Sequence, residues 1–301
     1  MYLANAPSTA GDCSRTRENG GGSHLYSRTD GEGGTPLRVA LKIAYDGRGF
    51  HGFARQPDVL TVEGEVLFAL GKSGLVEKVN AANVRGASRT DAGVSALGNV
   101  IAFDADVVDD SVVGRFNDAA KDVWAWARSE LPPGYDPRRA RQRWYRYLVT
   151  GDHDIAILRD AAKEFVGPHE YRAFASPEAG RTRRHVDSVD AQPESDGILV
   201  DVRAPSFLRG MVRRIVAAIL AVERGDATLD GIRDSLTTGT GPDLGIAPAE
   251  PLVLMDVDLG FPFRPVLDRA TRECITARAS NEAASARFWR DARLHASNAR
   301  F

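Results

Sequence analysis

Leu37-Arg38-Val39-Ala40-Leu41-Lys42-Ile43-Ala44-Tyr45 alternates apolar and polar positions closely enough to predict a strand over 37–46. Val62, Val66 and Leu70 fall on one face of a helix predicted at 62–71. Strand-like runs follow at 77–87, 97–104 (LGNVIAFD) and 122–128 (DVWAWAR). Pro132-Pro133-Gly134 and Asp136-Pro137 then interrupt the pattern. A second series begins with a strand at 144–150 (WYRYLVT) and a helix at 155–166, and continues with strands near 184–191 and 197–203. A long helix is expected over 206–224. There Phe207, Met211, Ile215 and Ile219 repeat every four residues beside Leu208, Val212, Val216 and Leu220, with Arg209 and Arg213 on a flanking row. A helix at 228–237 and a strand at 252–258 (LVLMDVD) close the series. Two successive units that mix strands and helices predict two α+β domains with antiparallel sheets, at 37–140 and 141–262.

The flanks have a different composition. Residues 1–36 are rich in Gly, Ser, Thr and Asn with few aliphatics, and are expected to be disordered. Residues 263–301 read as a basic helical extension: 264–301 hold eight Arg against four acids, with Ala throughout. No run of 18 apolar residues predicts a membrane span, and the first 36 residues lack an apolar core of signal-peptide type. A cytoplasmic location is expected. Cys13 and Cys274 lie near opposite ends, which gives neither a disulfide framework nor a metal-ligand spacing. The net charge of −2 conceals a bias, because 34 of the 39 basic residues are Arg, the residue suited to planar contacts with phosphate. Arg138, Arg139, Arg141, Arg143 and Arg146 crowd into nine residues, and Arg181, Arg183 and Arg184 add a second cluster. Such clusters can track the phosphates of folded RNA, although some must be ordinary surface charge.

Gly47-Arg48-Gly49-Phe50-His51-Gly52 matches the dinucleotide fingerprint G-x-G-x-x-G after a strand. The context excludes a cofactor loop, since the glycines must lead directly into a helix and Pro57 intervenes before the helical pattern starts near Val62. What remains is a glycine-rich turn bearing Phe50, Phe53, Arg55 and Gln56, a composition suited either to stacking on bases or to two core aromatics in a tight turn.

Gly86-Ala87-Ser88-Arg89-Thr90-Asp91-Ala92-Gly93-Val94 lies between two predicted strands, where loops carry function. Asp91, in a tight turn beside Arg89, reads as an Asx turn with an ion pair or as a carboxylate poised as nucleophile or base.

These stretches together resemble the tRNA pseudouridine synthase A (TruA) family. RTDAGVSALGNV is similar to the signature G-R-T-D-A-G-V-H-A-x-G-Q-V, and YDGRGFHGFARQ to Y-D-G-x-x-[FY]-x-G-[WF]-x-R-Q. Tyr135-Asp136-Pro137-Arg138 with Trp144-Tyr145-Arg146-Tyr147, Ser206 through Val216, and Glu250-Pro251-Leu252 resemble three further motifs, all in family order. Ser95 stands where bacterial members often have His, Phe53 replaces a frequent Trp, and Pro251 replaces a Gly.

The resemblance implies two ferredoxin-like (RRM-like) domains with a catalytic cleft between them. It also implies a homodimer acting on the tRNA anticodon arm, isomerising uridines at tRNA positions 38–40. By position it makes Asp91 the catalytic carboxylate, Arg213 its paired cation and Arg89 the residue that helps displace the target nucleotide. Tyr145 would stack on the flipped base and Leu252 would line the uracil pocket, with Arg146, Phe50 and Arg55 as further substrate contacts. No cofactor, metal or membrane is implied. Whether Asp91 attacks C1′ or C6, or assists proton removal through a glycal-type intermediate, stays open. The competing reading is a non-catalytic RNA-binding module on the same scaffold. A carboxylate-nucleophile hydrolase is disfavoured because no acidic metal cluster is present.

Overall fold

The computed structural model describes residues 37–106, 109–195, 197–266, 269 and 271–273. The expectations for 1–36 and for most of 263–301 lie outside the described residues. In chain order the elements are β1 (Leu37–Tyr45), α1 (Val62–Ser73), β2 (Arg85–Gly86), β3 (Ser95–Ala105), α2 (Ser111–Ala119) and β4 (Val123–Leu131). There follow β5 (Gln142–Thr150), α3 (Ile155–Lys163), β6 (Gly167–Glu170), β7 (Arg183–Val186), β8 (Ser188–Glu194) and β9 (Gly197–Ala204). The last are α4 (Met211–Arg224), α5 (Leu229–Thr238), β10 (Leu252–Asp258) and β11 (Arg264–Pro265).

The fold is mixed α+β, built on a nine-stranded, mostly antiparallel sheet ordered β11-β4-β1-β3-β10-β5-β9-β8, with β2 beside β3. Both predicted units contribute to this one sheet. In the first, β4-β1-β3-β2 lie side by side; in the second, β10-β5-β9-β8 repeat that spatial order. The seam between them is short and parallel, pairing Val253 with Ser95 and Leu254 with Ala96. A separate two-stranded ribbon pairs β6 with β7.

Hydrophobic alternation accounts for the layers. On β5 the odd-numbered residues Arg143, Tyr145, Tyr147 and Val149 are buried, and the even-numbered ones face the other side of the sheet. The main core takes in Val39, Leu41 and Ile43 of β1, Val66 and Leu70 of α1, and Ile215 and Ile219 of α4. Thr61 caps α1 by accepting the Gly64 N–H at 3.2 Å.

Three expectations are corrected. The strand predicted at 77–87 is mostly turn: only Arg85–Gly86 pairs, Val79–Ala81 forms one 3-10 turn, and Asn83 adopts φ +46°, incompatible with a strand. The run 184–191 divides into β7 and β8, which belong to different sheets. The helix predicted from 206 starts at Met211, because Gly210 adopts the left-handed region at φ +70° and leaves Ser206 to Arg209 as a loop.

Candidate active site

The turn that carries Asp91 is held from behind by buried hydroxyls and amides. The Tyr45 hydroxyl and Thr90 Oγ1 share a hydrogen bond at 2.9 Å. Asn99 Nδ2 donates to the Tyr45 hydroxyl at 3.2 Å and to the Ser88 carbonyl at 3.0 Å. Burial pushes the Tyr45 phenol far above its usual range, so it stays a neutral hydroxyl. The Val94 N–H closes the turn on the Asp91 carbonyl at 3.2 Å.

The glycine-rich stretch at 47–52 has its explanation here. A Cβ at Gly47 would overlap the Val94 carbonyl, and the Gly47 N–H donates to Ser95 Oγ at 3.0 Å. Gly52, at φ +92°, lies flat against the turn: a Cβ there would come within 3.3 Å of the Thr90 carbonyl oxygen and the Ala92 nitrogen. The Phe53 N–H then bonds the Thr90 carbonyl at 3.0 Å. These two glycines permit backbone-to-backbone contact with the Asp91 turn.

Arg213 enters from the first turn of α4. Its Nη1 lies 3.1 Å from Asp91 Oδ2, and its Nε donates to the Ala247 carbonyl at 2.7 Å. The side chains retain partial access to solvent, 17% for Arg213 and 26% for Asp91, so the pair stands at a cleft wall rather than sealed in the core. The cleft encloses about 1100 Å³. That lies at the upper end of the roughly 300–1,000 Å³ typical of ligand pockets, enough to admit a nucleotide.

Asp91, Arg213, Arg89, Tyr145 and Leu252 all line this cleft. Arg89 is exposed. Tyr145 is buried and meets Phe207 edge to face at 5.3 Å between centroids. Burial pushes its phenol up to about 12. Leu252 is buried at the start of β10, opposite Tyr147 of β5.

Three candidates do not come to the cleft lining. Arg146 projects from the opposite face of β5 and pairs with Asp201 through two bonds of 2.8 and 2.9 Å. The alternation that points Tyr145 inward turns Arg146 away. Phe50 is a core residue, packed edge-on against Tyr45 at 6.2 Å. Arg55 is exposed, and its backbone N–H is taken by Glu63 Oε2 at 2.8 Å.

The arginine cluster also separates. Arg138 is engaged bidentately by Asp136, which that contact holds down at about 2, and Arg143 is buried. Only Arg139 and Arg141 of the five are exposed without an ion pair among the described residues. The sequence pattern groups Arg143 with phosphate-tracking arginines, gives Ser88 no role and continues the helix through 206–209, whose apolar spacing imitates one, yet all of these line the cleft. Among the described residues no three His, Cys, Asp or Glu side chains gather as a metal site, and no helix is long and apolar enough to cross a membrane.

Residues 161–262, which include Arg213 and Leu252, match the family model described as tRNA pseudouridine synthase. The class defined is therefore an RNA-modifying isomerase. The tRNA pseudouridine synthase A of Thermococcus sibiricus is 39% identical over 224 residues, covering 73% of this chain and 84% of that protein. The enzyme of the same name from Pyrococcus horikoshii is 38% identical over 241 residues, covering 78% and 89%. A solved structure, the archaeal box H/ACA sRNP Nop10-Cbf5 complex, aligns at a TM-score of 0.35 and 12% identity over 84% of this chain and 58% of that chain. With relatives of this identity matched along most of their length, the chain belongs to the tRNA pseudouridine synthase A family.

Proposed function

We propose that this tRNA pseudouridine synthase isomerises uridines of the anticodon stem-loop, with Asp91 as its catalytic carboxylate and Arg213 as the cation that orients it. The 3.1 Å contact between Arg213 Nη1 and Asp91 Oδ2, made inside a cleft large enough for a nucleotide, carries this reading. The two strand arrangements β4-β1-β3-β2 and β10-β5-β9-β8 support a view of the halves as ferredoxin-like units, with Asp91 from one and Arg213 from the other.

The reaction is balanced within the nucleotide. The bond from uracil N1 to ribose C1′ breaks, a bond from C5 to C1′ forms, C5 loses its proton and N1 gains one. Nothing is oxidised or reduced. A base inside a folded arm must leave its stack first, and Arg89, exposed in the cleft lining, is the residue that helps displace the target nucleotide. The extruded uracil rests on the Tyr145 ring with Leu252 as a side wall. The Tyr145 phenol, pushed up to about 12, remains protonated at neutral pH and offers a neutral surface. Asp91 then presents an anionic oxygen to the sugar–base junction, with Arg213 fixing its direction through one bond while its second is spent on Ala247. A homodimer that shares one tRNA belongs to the same proposal, and light scattering with and without tRNA tests it.

Incubation with unmodified tRNA transcripts, followed by mapping of pseudouridine along each, tests the substrate assignment. Pseudouridine confined to the anticodon arm is expected. Pseudouridine only in another arm would overturn the anticodon reading while leaving the family intact.

A further inference from the structure

We infer that Arg143 is a positioning residue, a buried guanidinium that fixes the Tyr145 side of the cleft by stapling three separate loops. The inference rests on the reading of Asp91 and Tyr145 given above. Arg143 lies two residues before Tyr145 on the inward face of β5 and is 6% exposed. Its Nε donates to Ser88 Oγ at 2.9 Å, and its Nη2 donates to the Ala87 carbonyl at 2.8 Å and the Arg138 carbonyl at 3.0 Å. Its Nη1 donates to the Pro205 carbonyl. Each acceptor comes from a segment that lines the cleft or leads into it. Ala87 and Ser88 open the turn that ends in Asp91, Arg138 stands on the cleft wall, and Pro205 precedes the loop carrying Phe207.

Two features set this residue apart from a phosphate-binding arginine. Its polar atoms are all turned toward protein oxygens, and no carboxylate is among its partners in the described residues. Burial without a counter-ion shifts its pKa downward, yet the guanidinium stays charged at any working pH. A cation kept dry against neutral oxygens is an expensive way to gain stability. It is an effective way to set direction, because a planar fork with five donors fixes the relative positions of everything it touches.

The consequence reaches the base-stacking surface by a short route. Arg143 holds Ala87 and Ser88 at the start of the Asp91 turn, and Phe207, two residues beyond the Pro205 carbonyl that Arg143 also holds, packs against the Tyr145 ring at 5.3 Å. Arg143 thus fixes the loop whose Phe207 sets the position of the Tyr145 ring. Lysine cannot replace it, since one tetrahedral ammonium cannot reach acceptors spread around a guanidinium plane.

The test compares single-turnover rates and tRNA affinity for wild type, Arg143→Lys, Ser88→Ala, their double mutant and Asp91→Asn, with circular dichroism on each. Arg143→Lys is expected to lose about a hundredfold in rate at saturating tRNA, the scale of a small misplacement at a reacting centre, with affinity retained. Ser88→Ala should lose less, and the double mutant should fall no further than Arg143→Lys alone, because Arg143→Lys already breaks the bond that Ser88 accepts. A merely structural role would instead lower the melting temperature, with rates recovering once the assay is cooled. A phosphate contact would weaken affinity and leave the saturated rate intact. Either result overturns the proposal, as does additivity in the double mutant. If Arg143→Lys fails to fold, the staple is structural and the proposal falls. An active Asp91→Asn would overturn the underlying site assignment; an inactive Asp91→Asn beside a fully active Arg143→Lys would overturn the staple alone.

Discussion

Asp91 and Arg213 are 122 residues apart in the chain and 3.1 Å apart in space. The carboxylate sits on a turn between β2 and β3, and the guanidinium on the first turn of α4. The Asp91 turn is braced by Tyr45, Asn99 and the glycine-rich stretch, and Arg213 is anchored by the Ala247 carbonyl. The contact therefore depends on the seam between β3 and β10, which brings the two halves of the sheet together.

Arg213→Ala removes the orienting bond and leaves the Ala247 carbonyl without its partner. Turnover at saturating tRNA should fall on the order of a hundredfold, as when a preorganised charged donor is lost from an active site. Affinity should stay close to wild type. Stopped-flow turnover with a filter-binding titration checks both; unchanged turnover with weakened binding would reassign Arg213 to phosphate contact.

Arg146→Ala acts on folding instead. Asp201 is 4% exposed and would lose its bidentate partner, keeping among the described residues only the Arg203 ion pair at 3.8 Å. A loss of about 3 kcal/mol is expected from a buried carboxylate left poorly compensated. Urea unfolding measures it. The dependence of tRNA affinity on salt should not change, since Arg146 faces away from the cleft; a salt slope reduced by roughly one unit would place it on phosphate after all.

Gly47 and Gly49 look alike in sequence and should respond in opposite ways. Gly47→Ala drives a Cβ into the Val94 backbone and should destabilise the protein by about 1–3 kcal/mol, the range of overpacked sites. Gly49→Ala meets nothing within 4 Å and should be neutral or slightly stabilising. Equal melting temperatures for the two variants would contradict the close-approach account.

Much of this was legible in the sequence because it is local. The Asp91 turn, β1, α1 and β10 follow from alternation, caps and short motifs read within a few residues. What was not legible depends on partners far along the chain. Nothing near Arg146 announces that Asp201 faces it from the neighbouring strand β9, so a paired arginine and a substrate-facing one look the same. The apolar spacing of Phe207 continues that of Met211 without a break, and only the left-handed Gly210 shows that the loop and helix are distinct. The place of β10 between β3 and β5 follows from a two-residue parallel ladder that no local pattern encodes.

Buried phenols set the alkaline limit of stability. Tyr145 and Tyr147 are both pushed up to about 12 by burial, and Tyr45 and Tyr171 are raised further. The folded state keeps protons that the unfolded chain releases near pH 10. Their stabilising effect is fully present below about pH 10 and is lost as pH rises toward about 12. Within that window each such tyrosine costs roughly 1.4 kcal/mol for every pH unit. Urea unfolding across this range should show a steady decline, made shallower by Tyr147→Phe. A flat profile would contradict the assigned burial.

The most direct measurement concerns Asp91 itself. Asp91→Asn keeps the shape of the side chain and removes its charge, leaving the rest of the cleft in place. Wild type and variant are given the same unmodified tRNA, and pseudouridine is quantified beside tRNA affinity. The account predicts no detectable pseudouridine from Asp91→Asn with affinity preserved. Substantial pseudouridine formation by the variant would contradict it.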